Sequence, residues 1–218
     1  MNDFAITESD IYEKSLPNGS IYGKIGEQGI KRFVDTAKHI CLNAESILDV
    51  GCGNGDWLYF ICQRLSIKKH LGIDVSKSRI NNANKFFPEL NVKACSITEL
   101  ELLEKSFDVV TCLEVLEHVP DWIQLFNLLF RFASKQVLIT VSYREKIKYT
   151  ECIHCGKLTP MYGHLRSYSE ESFPQVLGWS LSFAKIREKD PNINRLRRIY
   201  HFFRPHYPWL LVNYRRVC

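Results

Sequence analysis

The sequence predicts an α/β fold in which helices cover both faces of a mostly parallel sheet. Segments with strand and helix patterns alternate between residues 46 and 141, and this alternation is typical of βαβ units. The first predicted strand ends in a glycine-rich turn that leads directly into a helix. The second ends in an acidic residue, Asp74, which lies 19 positions beyond Gly55. An acid at this place in a βαβ unit accepts hydrogen bonds from ribose hydroxyls, so the two signals together indicate a nucleoside ligand.

The predicted elements follow one another in a regular order. Apolar residues that recur with a helical period indicate a first helix at 27–42. Further helices are expected at 56–65, 77–87, 121–133 and 170–177, and strands at 46–50, 70–75, 91–97, 107–113, 137–141, 181–187 and 209–216. A mostly helical pattern at 192–203 separates the last two strands. The length of 218 residues suits one domain with a substantial core.

The glycine-rich turn differs from the best-known nucleotide-binding turns. The run from Asp49 to Gly55 is DVGCGNG, and its G-x-G-x-G spacing is not the G-x-G-x-x-G of dinucleotide folds. No lysine follows the last glycine, as it would in a P-loop. Glycines let the backbone approach a ligand closely, and the free N–H groups at the start of a helix favour an anionic group.

Three motifs, LDVGCGNG, GIDVS and FDVVTCLEVLEHVPD, stand in this order along the chain. They resemble the motifs of the class I S-adenosylmethionine (SAM)-dependent methyltransferases, and the resemblance extends from about Gly26 to the C-terminus. It implies a single domain over residues 1–218 with a Rossmann-like, seven-stranded sheet that an antiparallel strand closes. Two insertions, 144–166 and 190–207, are then expected to cover the acceptor site, because ligand-specific loops lie beyond the carboxyl ends of parallel strands.

The resemblance also implies how SAM would be held. Asp49 is expected to receive the amino group of the methionine moiety, directly or through water, and Asp74 to hold the ribose. The adenine is expected between Val75 and the turn at 95–97, where Ser96 stands in the place of the acid that many relatives have. The expected cofactor-binding residues are Asp49, Gly51, Cys52, Gly53, Asn54, Gly55, Asp74, Val75, Ser96, Ile97 and Leu113.

The run EVLEH follows the fourth predicted strand. On a helix, Glu114, Glu117 and His118 would share one face, and two carboxylates with an imidazole can bind Mg²⁺, Mn²⁺ or Zn²⁺. The pattern resembles that of ubiquinone-biosynthesis O-methyltransferases and small-RNA 2′-O-methyltransferases, in which a further histidine follows the fifth strand. His164 stands in that region. A metal there would lower the pKa of acceptor hydroxyls; without one, His118 or His164 is expected to be the general base.

The cysteines give a weaker metal signal. Cys152 and Cys155 form one C-x-x-C pair, but a zinc site usually needs four ligands and no second pair is present. Zinc is therefore the less favoured alternative to Mg²⁺ or Mn²⁺. Free thiols inside predicted strands and helices behave as small hydrophobes, and reduced thiols without an export signal favour the cytoplasm. No apolar run of about 18 residues is present that would span a membrane.

The segment 185–216 is basic and aromatic. It has nine Lys or Arg against two acids, within a chain of net charge +5. Such a surface can face RNA, an anionic membrane or an acidic substrate, or can be a solvated face only. The sequence predicts a SAM-dependent enzyme that methylates a hydroxyl of a small or lipid-like metabolite, with peripheral membrane contact as an option. An RNA-modifying 2′-O-methyltransferase and a non-catalytic SAM-binding subunit are the alternatives, and the oligomeric state is left open.

Overall fold

The structure, a computed structural model, describes residues 27–101, 104–152, 156–187 and 207–217. The helices of these residues are α1 (Glu27–Ala37), α2 (Asp56–Leu65), α3 (Lys77–Phe86) and α4 (Trp122–Phe132). The strands are β1 (Ser46–Val50), β2 (Lys69–Asp74), β3 (Val92–Ala94), β4 (Phe107–Leu113), β5 (Ala133–Ser142), β6 (Tyr149–Glu151), β7 (Leu158–Pro160), β8 (Trp179–Ile186) and β9 (Trp209–Arg216).

Seven of the described strands form one sheet in the order β3-β2-β1-β4-β5-β9-β8. The pairs among β1 to β5 are parallel, whereas β9 runs antiparallel to both β5 and β8. The five residues of β1 are all buried, as expected for a strand in the centre of a sheet that is covered on both faces. This topology confirms the predicted mostly parallel sheet with an antiparallel closing strand.

Successive residues of β4 point to opposite faces of the sheet and enter two separate apolar cores. Val110 packs in a core with α4, which contributes Leu129 and Phe132. Val109 packs in a second core with α2, which contributes Leu58. Val109, Val110, Leu58 and Leu129 are each 0% exposed, and full burial of one aliphatic side chain is worth about 1.5–3 kcal/mol. The helices therefore cover both faces, as the alternating pattern predicts.

The polar residues before two helices cap them as the sequence pattern suggests. Ser76 Oγ accepts from the Arg79 amide at 3.2 Å at the start of α3, and Asp121 Oδ1 accepts from the Gln124 amide at 3.0 Å at the start of α4. Removing a cap of this kind costs about 1 kcal/mol. The caps fix where α3 and α4 begin, directly beside the carboxyl ends of β2 and β4.

The predicted helix at 170–177 is wrong. The structure has only a single 3₁₀ turn there, Glu170–Ser172. Pro174 explains the early end, because a proline disfavours the helical conformation of the residue before it and has no N–H to donate. The Pro174 carbonyl instead accepts from the Tyr214 hydroxyl at 2.7 Å.

Several boundaries also differ from the prediction. Strand β3 has three residues rather than seven, and β5 begins at Ala133 rather than residue 137. The insertion 144–166 contains an antiparallel hairpin, β6–β7, that was not predicted. The helix expected at 192–203 falls outside the described residues. Among the described residues, no helix is both long enough and apolar enough to cross a membrane.

Candidate functional site

A cavity of about 530 Å³ opens at the carboxyl ends of β1, β2 and β4. The strand order reverses here, because β1 has β2 on one side and β4 on the other, and open α/β sheets bind ligands at such points. The residues of the expected cofactor set that line it are Gly51, Asp74, Val75, Ser96 and Ile97. The other members of that set, which do not line it, are Asp49, Cys52, Gly53, Asn54, Gly55 and Leu113.

The glycine turn has no room for side chains at its two ends. Gly51 has φ 76°, and a Cβ added to it would lie 2.3 Å from Val115 Cγ2. Gly55 has φ 82° and stands at the N-cap of α2, where no side chain caps the helix. Both positions therefore require glycine, and the amides at the start of α2 face the turn without a side-chain cap.

Asp74 is oriented by two backbone donors. Its Oδ2 accepts from the Gly53 amide at 2.9 Å, and its Oδ1 accepts from the Ser76 amide at 2.8 Å. The two amides fix the orientation of this carboxylate, which also lines the cavity. That Asp74 binds the ribose of the cofactor remains a prediction.

Asp49 is buried behind the turn, with 2% of its surface exposed. Its Oδ1 accepts from Thr111 Oγ1 at 2.6 Å. Burial raises the pKa of Asp49 to about 7, the hydrogen bond from Thr111 opposes this, and the negative charge of Asp74 adds to it. The carboxyl group is thus poised to ionise when a cation arrives near it.

The turn after β3 is organised by Ser96, whose hydroxyl accepts from the Thr98 amide at 3.3 Å. The Ser96 amide donates to Glu99 Oε2 at 2.7 Å, completing a capping box. The acid of this turn is therefore Glu99, three positions after the place where relatives carry one. Its carboxylate is engaged with the backbone, and Ser96 and Ile97 form the cavity wall.

The expectation that EVLEH lies on a helix is wrong. Glu114 has φ 57°, in the left-handed region, and its amide donates to the Thr140 carbonyl at 2.9 Å. The His118 amide closes a turn on the Val115 carbonyl at 3.0 Å, and α4 begins only at Trp122. A helical face cannot form because the left-handed Glu114 interrupts the helical backbone geometry.

Three of the four residues predicted as metal ligands nevertheless meet. One possible ligand atom from each of Glu117, His118 and His164 lies within 4.8 Å of the others. The two imidazole rings are 4.8 Å apart between centroids. Glu114 is not a member of this group of atoms. We call Glu117, His118 and His164 the acid–histidine cluster; His118 also lines the cavity.

Hydrogen bonds fix the tautomers of both histidines. His118 Nδ1 donates to the Gly163 carbonyl at 3.2 Å, and His164 Nδ1 pairs with Glu145 Oε2 at 2.5 Å. The Nε2 atoms are thereby left as the acceptors. The pKa of His118 is lowered to about 4, mainly by burial and in smaller part by His164 when that ring is protonated, so the His118 imidazole is neutral at pH 7.

The carboxylates beside these rings are buried. Glu117 Oε1 accepts from the Ser142 amide at 3.3 Å, but Oε2 has no hydrogen-bond partner among the described residues. The pKa of Glu117 is raised to about 8, mainly by burial and in smaller part by the nearby Glu114. Burial also raises the pKa of Glu114, which the charge of Arg32 opposes. Glu114 Oε1 likewise has no partner among the described residues.

Comparison with known proteins identifies the family. Residues 42–194 match a family described as a methyltransferase domain. A ubiquinone biosynthesis O-methyltransferase of Pseudomonas fluorescens is 31% identical over 163 residues, which cover 70% of this chain and 69% of that protein. A demethylmenaquinone methyltransferase of Oceanobacillus iheyensis is 30% identical over 155 residues, covering 65% of each. The chain belongs to the SAM-dependent methyltransferases.

The fold agrees with this assignment. The plantazolicin methyltransferase BpumL, solved with S-adenosylhomocysteine (SAH) and a monoazolic desmethylPZN analog, superposes with a TM-score of 0.64 at 17% identity. The match covers 90% of this chain and 88% of that one. The resemblance predicted from the three motifs is confirmed, and SAM is the cofactor of this methyltransferase. The individual cofactor-binding residues remain predictions.

We expect cofactor binding by this methyltransferase to depend on pH through Asp49. The ammonium group of SAM or SAH favours the ionised carboxylate, whose pKa in the free protein is about 7. SAH affinity should therefore increase between about pH 6 and pH 8 and then level off. Asp49→Asn should bind SAH more weakly and without this pH dependence, as measured by calorimetry. An unchanged pH dependence in the variant would mean that another group titrates.

The methyltransferase site also contains residues that sequence reasoning missed. Arg79 and Tyr162 line the cavity, Glu145 orients His164, and Arg166 donates to carbonyls of the 116–120 turn. Arg79 follows Asp74 in the first turn of α3, so its position could have been read from the predicted helix. Nothing in the local sequence signals the other three, because the hairpin brings them to the site.

The zinc prediction receives no support from the described part of the chain. Within it, no group of three or more metal-binding side chains includes Cys152. The Cys152 amide donates to the Lys157 carbonyl at 2.9 Å in the loop between β6 and β7. Cys155 and the neighbouring His154 lie outside the described residues.

The basic segment 185–216 is only partly described, since 188–206 lie outside. Three of its cations have local structural contacts. Lys185 pairs with Glu170 at 3.0 Å, Arg215 donates to the His39 carbonyl at 3.0 Å, and Arg216 lies over the Trp179 ring. None of these three lines the cavity. Contact of this segment with RNA or a membrane remains a prediction.

Proposed function

We propose that this methyltransferase transfers the methyl group of SAM to a hydroxyl oxygen of a small or lipid-like metabolite, with a divalent cation held at the acid–histidine cluster. The observation that carries the proposal is the juxtaposition of Glu117, His118 and His164 at the edge of the cofactor cavity. The names of two relatives support it. One describes O-methylation in ubiquinone biosynthesis, and the other describes methylation of demethylmenaquinone, which supports a quinone-like acceptor but not the choice of oxygen.

The donor set fits a divalent cation. It combines carboxylate oxygen with neutral imidazole nitrogen, which suits Mg²⁺, Mn²⁺ or Zn²⁺. Glu117 Oε2 and Glu114 Oε1 are buried without a partner among the described residues, and such oxygens are costly unless a proton or cation satisfies them. A cation bound there would supply Lewis acidity that lowers the pKa of an acceptor hydroxyl.

The protein's own residues would carry the remaining tasks. SAM brings an already activated methyl group, so the enzyme must mainly hold the acceptor oxygen in line with it. Asp74 and the glycine turn would fix the donor from one side of the cavity, while the acid–histidine cluster would fix the acceptor from the other. With a cation bound, both imidazoles would be its ligands, and the acceptor hydroxyl would lose its proton to water. Without a cation, His164, backed by the carboxylate of Glu145, would take up the hydroxyl proton in preference to His118, whose pKa is lowered to about 4.

The hairpin supports a lipid-like acceptor. Met161 and Tyr162 follow β7 and are 49% and 65% exposed, and Tyr162 also lines the cavity. Tyr149 and Leu158 on the same hairpin are 60% and 69% exposed. Exposed apolar side chains on the same hairpin as the cavity-lining Tyr162 would bury an apolar tail, which is favourable because apolar surface is removed from water.

The test is an acceptor screen scored by SAH release. Hydroxylated aromatic compounds, with and without a prenyl tail, are incubated with SAM, and a short RNA with a free 2′-hydroxyl is the competing acceptor. We expect an O-methylated small-molecule product, and EDTA should reduce turnover about 100-fold, with recovery on adding Mg²⁺ or Mn²⁺. Methylation only of nitrogen, carbon or RNA would contradict the acceptor class, and EDTA-resistant turnover would contradict the cation.

A further inference from the structure

The turn that carries Glu117 and His118 depends on donors from another part of the chain. Because it is not helical, its carbonyls have no partners within a helix. Arg166 Nη1 donates to the Leu116 carbonyl at 3.0 Å and also to the Val119 carbonyl, while Nη2 donates to the Pro120 carbonyl at 2.9 Å. One guanidinium group thus holds three carbonyls of the turn at once.

Two neighbours of Arg166 reinforce these contacts. The Leu165 amide donates to the Glu117 carbonyl at 2.7 Å, and the Tyr168 hydroxyl donates to the Leu116 carbonyl at 3.0 Å. The donors therefore come from the segment 165–168, which directly follows His164. The short segment that directly follows His164 thus holds the backbone of Glu117 and of its turn neighbours Leu116, Val119 and Pro120.

An arginine suits this task better than any other cation. Its guanidinium is planar and rigid and offers five N–H donors at fixed angles, whereas lysine is a point charge on a flexible chain. The carbonyls of Leu116, Val119 and Pro120 belong to one turn and all accept from Arg166, so a forked donor can satisfy them together. Arg166 does not line the cavity, which separates it from direct contact with SAM or acceptor.

We propose that Arg166 is a positioning residue, which fixes the Leu116–Pro120 turn so that Glu117 and His118 face His164. The role of the cluster itself rests on the proposed function. Without the guanidinium, the three carbonyls would hydrogen-bond to water instead. The backbone of the Leu116–Pro120 turn would then move away from the segment 165–168. On the cofactor side, Asp74 is held by the Gly53 and Ser76 amides, and these hydrogen bonds do not involve the guanidinium, so this side would keep its geometry.

The experiment compares Arg166→Gln with the control Arg131→Gln, both saturated with SAH. Arg131 is a half-exposed cation in the last turn of α4 that pairs with Glu104 at 3.6 Å. Metal-free wild type should show a nuclear Overhauser effect between the imidazole protons of His118 and His164, whose rings are 4.8 Å apart. We expect Arg166→Gln to lose it and to bind Mn²⁺ at least about tenfold more weakly, with SAH affinity unchanged.

A second variant keeps the proposal testable if Arg166→Gln does not fold. Arg166→Lys retains the charge but not the fork, and we expect it to fold with a weakened Overhauser effect that added methylguanidinium does not restore. A full Overhauser effect and unchanged Mn²⁺ affinity in either folded variant would overturn the proposal. If wild type binds no Mn²⁺, the proposed cation fails, whereas the Overhauser comparison still decides the role of Arg166.

Discussion

Replacing Glu117 by glutamine is expected to make the protein more stable and at least about 100-fold less active. Glu117 is fully buried, and burial raises its pKa to about 8. Glutamine keeps the acceptor oxygen for Ser142 and removes the ionisable group. The stability gain and the activity loss have the same origin, because a buried carboxylate with one unpaired oxygen is costly in the free protein and would be the anionic ligand of the proposed cation.

The stability effect has a defined pH dependence. The folded pKa of Glu117 is about 8, above its ordinary value of 4.5, so the unfolded chain ionises first as pH rises. The penalty is absent below about pH 4.5, grows as pH rises through this interval, and is complete above about pH 8. Each pKa unit corresponds to about 1.4 kcal/mol, so the variant should gain up to a few kcal/mol at pH 8 and little at pH 5.

Thermal unfolding at pH 5 and pH 8, in the presence of EDTA, measures this difference. Glu104→Gln is the matched control, since Glu104 is 70% exposed, and it should change neither stability nor turnover. Turnover is measured with the acceptor found in the screen and saturating Mg²⁺. A variant that is less stable than wild type at pH 8, or that keeps wild-type turnover, would contradict the assignment of Glu117.

The cofactor half of the molecule could be predicted from sequence because its signals are local. The glycine turn is fixed by backbone conformations that only glycine adopts readily, as φ 76° at Gly51 and 82° at Gly55 illustrate. Asp74 then follows at a distance that one helix and one strand determine. The alternation of strands and helices similarly predicted the sheet, including the closing pair β8 and β9.

The acceptor half was predicted less well because distant contacts determine it. The spacing of EVLEH predicted a helix, but Glu114 does not adopt a helical conformation. Its amide donates to the Thr140 carbonyl instead and so extends the pairing of β4 with β5. The contacts of Glu145 and Arg166 depend on a hairpin whose strands have three residues each. Such short strands give little periodicity. A shared helical face and the resemblance to families with a further histidine after the fifth strand together predicted a cluster of Glu114, Glu117, His118 and His164. Three of these residues meet, but the helical face does not form and Glu114 is not part of the group.

Replacing Asp74 by asparagine is expected to weaken SAH binding about 100-fold while the fold is retained. The carboxylate accepts from the Gly53 and Ser76 amides and would accept from both ribose hydroxyls. Asparagine has nearly the same size, but its NH₂ group would face a donor on one side. Hydrogen bonds to a charged group are worth about 1.5–3 kcal/mol each. Asparagine removes one of the two acceptor oxygens and the charge that strengthens the other hydrogen bond, and a total loss of about 2.7 kcal/mol corresponds to the expected change in Kd. Calorimetry measures it, with Asp35→Asn on α1 as the control.

A ligand without the ribose hydroxyls separates direct contact from an indirect effect on the glycine turn. Wild type should bind 2′,3′-dideoxy-SAH at least about as weakly as Asp74→Asn binds SAH, because the ligand removes both hydrogen bonds whereas the variant removes one and weakens the other. The variant should then distinguish the two ligands by a smaller factor than wild type does, since the charged partner of the hydroxyls is gone. If Asp74 acts only by holding the Gly53 amide, the variant will still prefer SAH over the dideoxy ligand by the full wild-type factor. That result would remove Asp74 from the ribose site and leave it as a support of the turn.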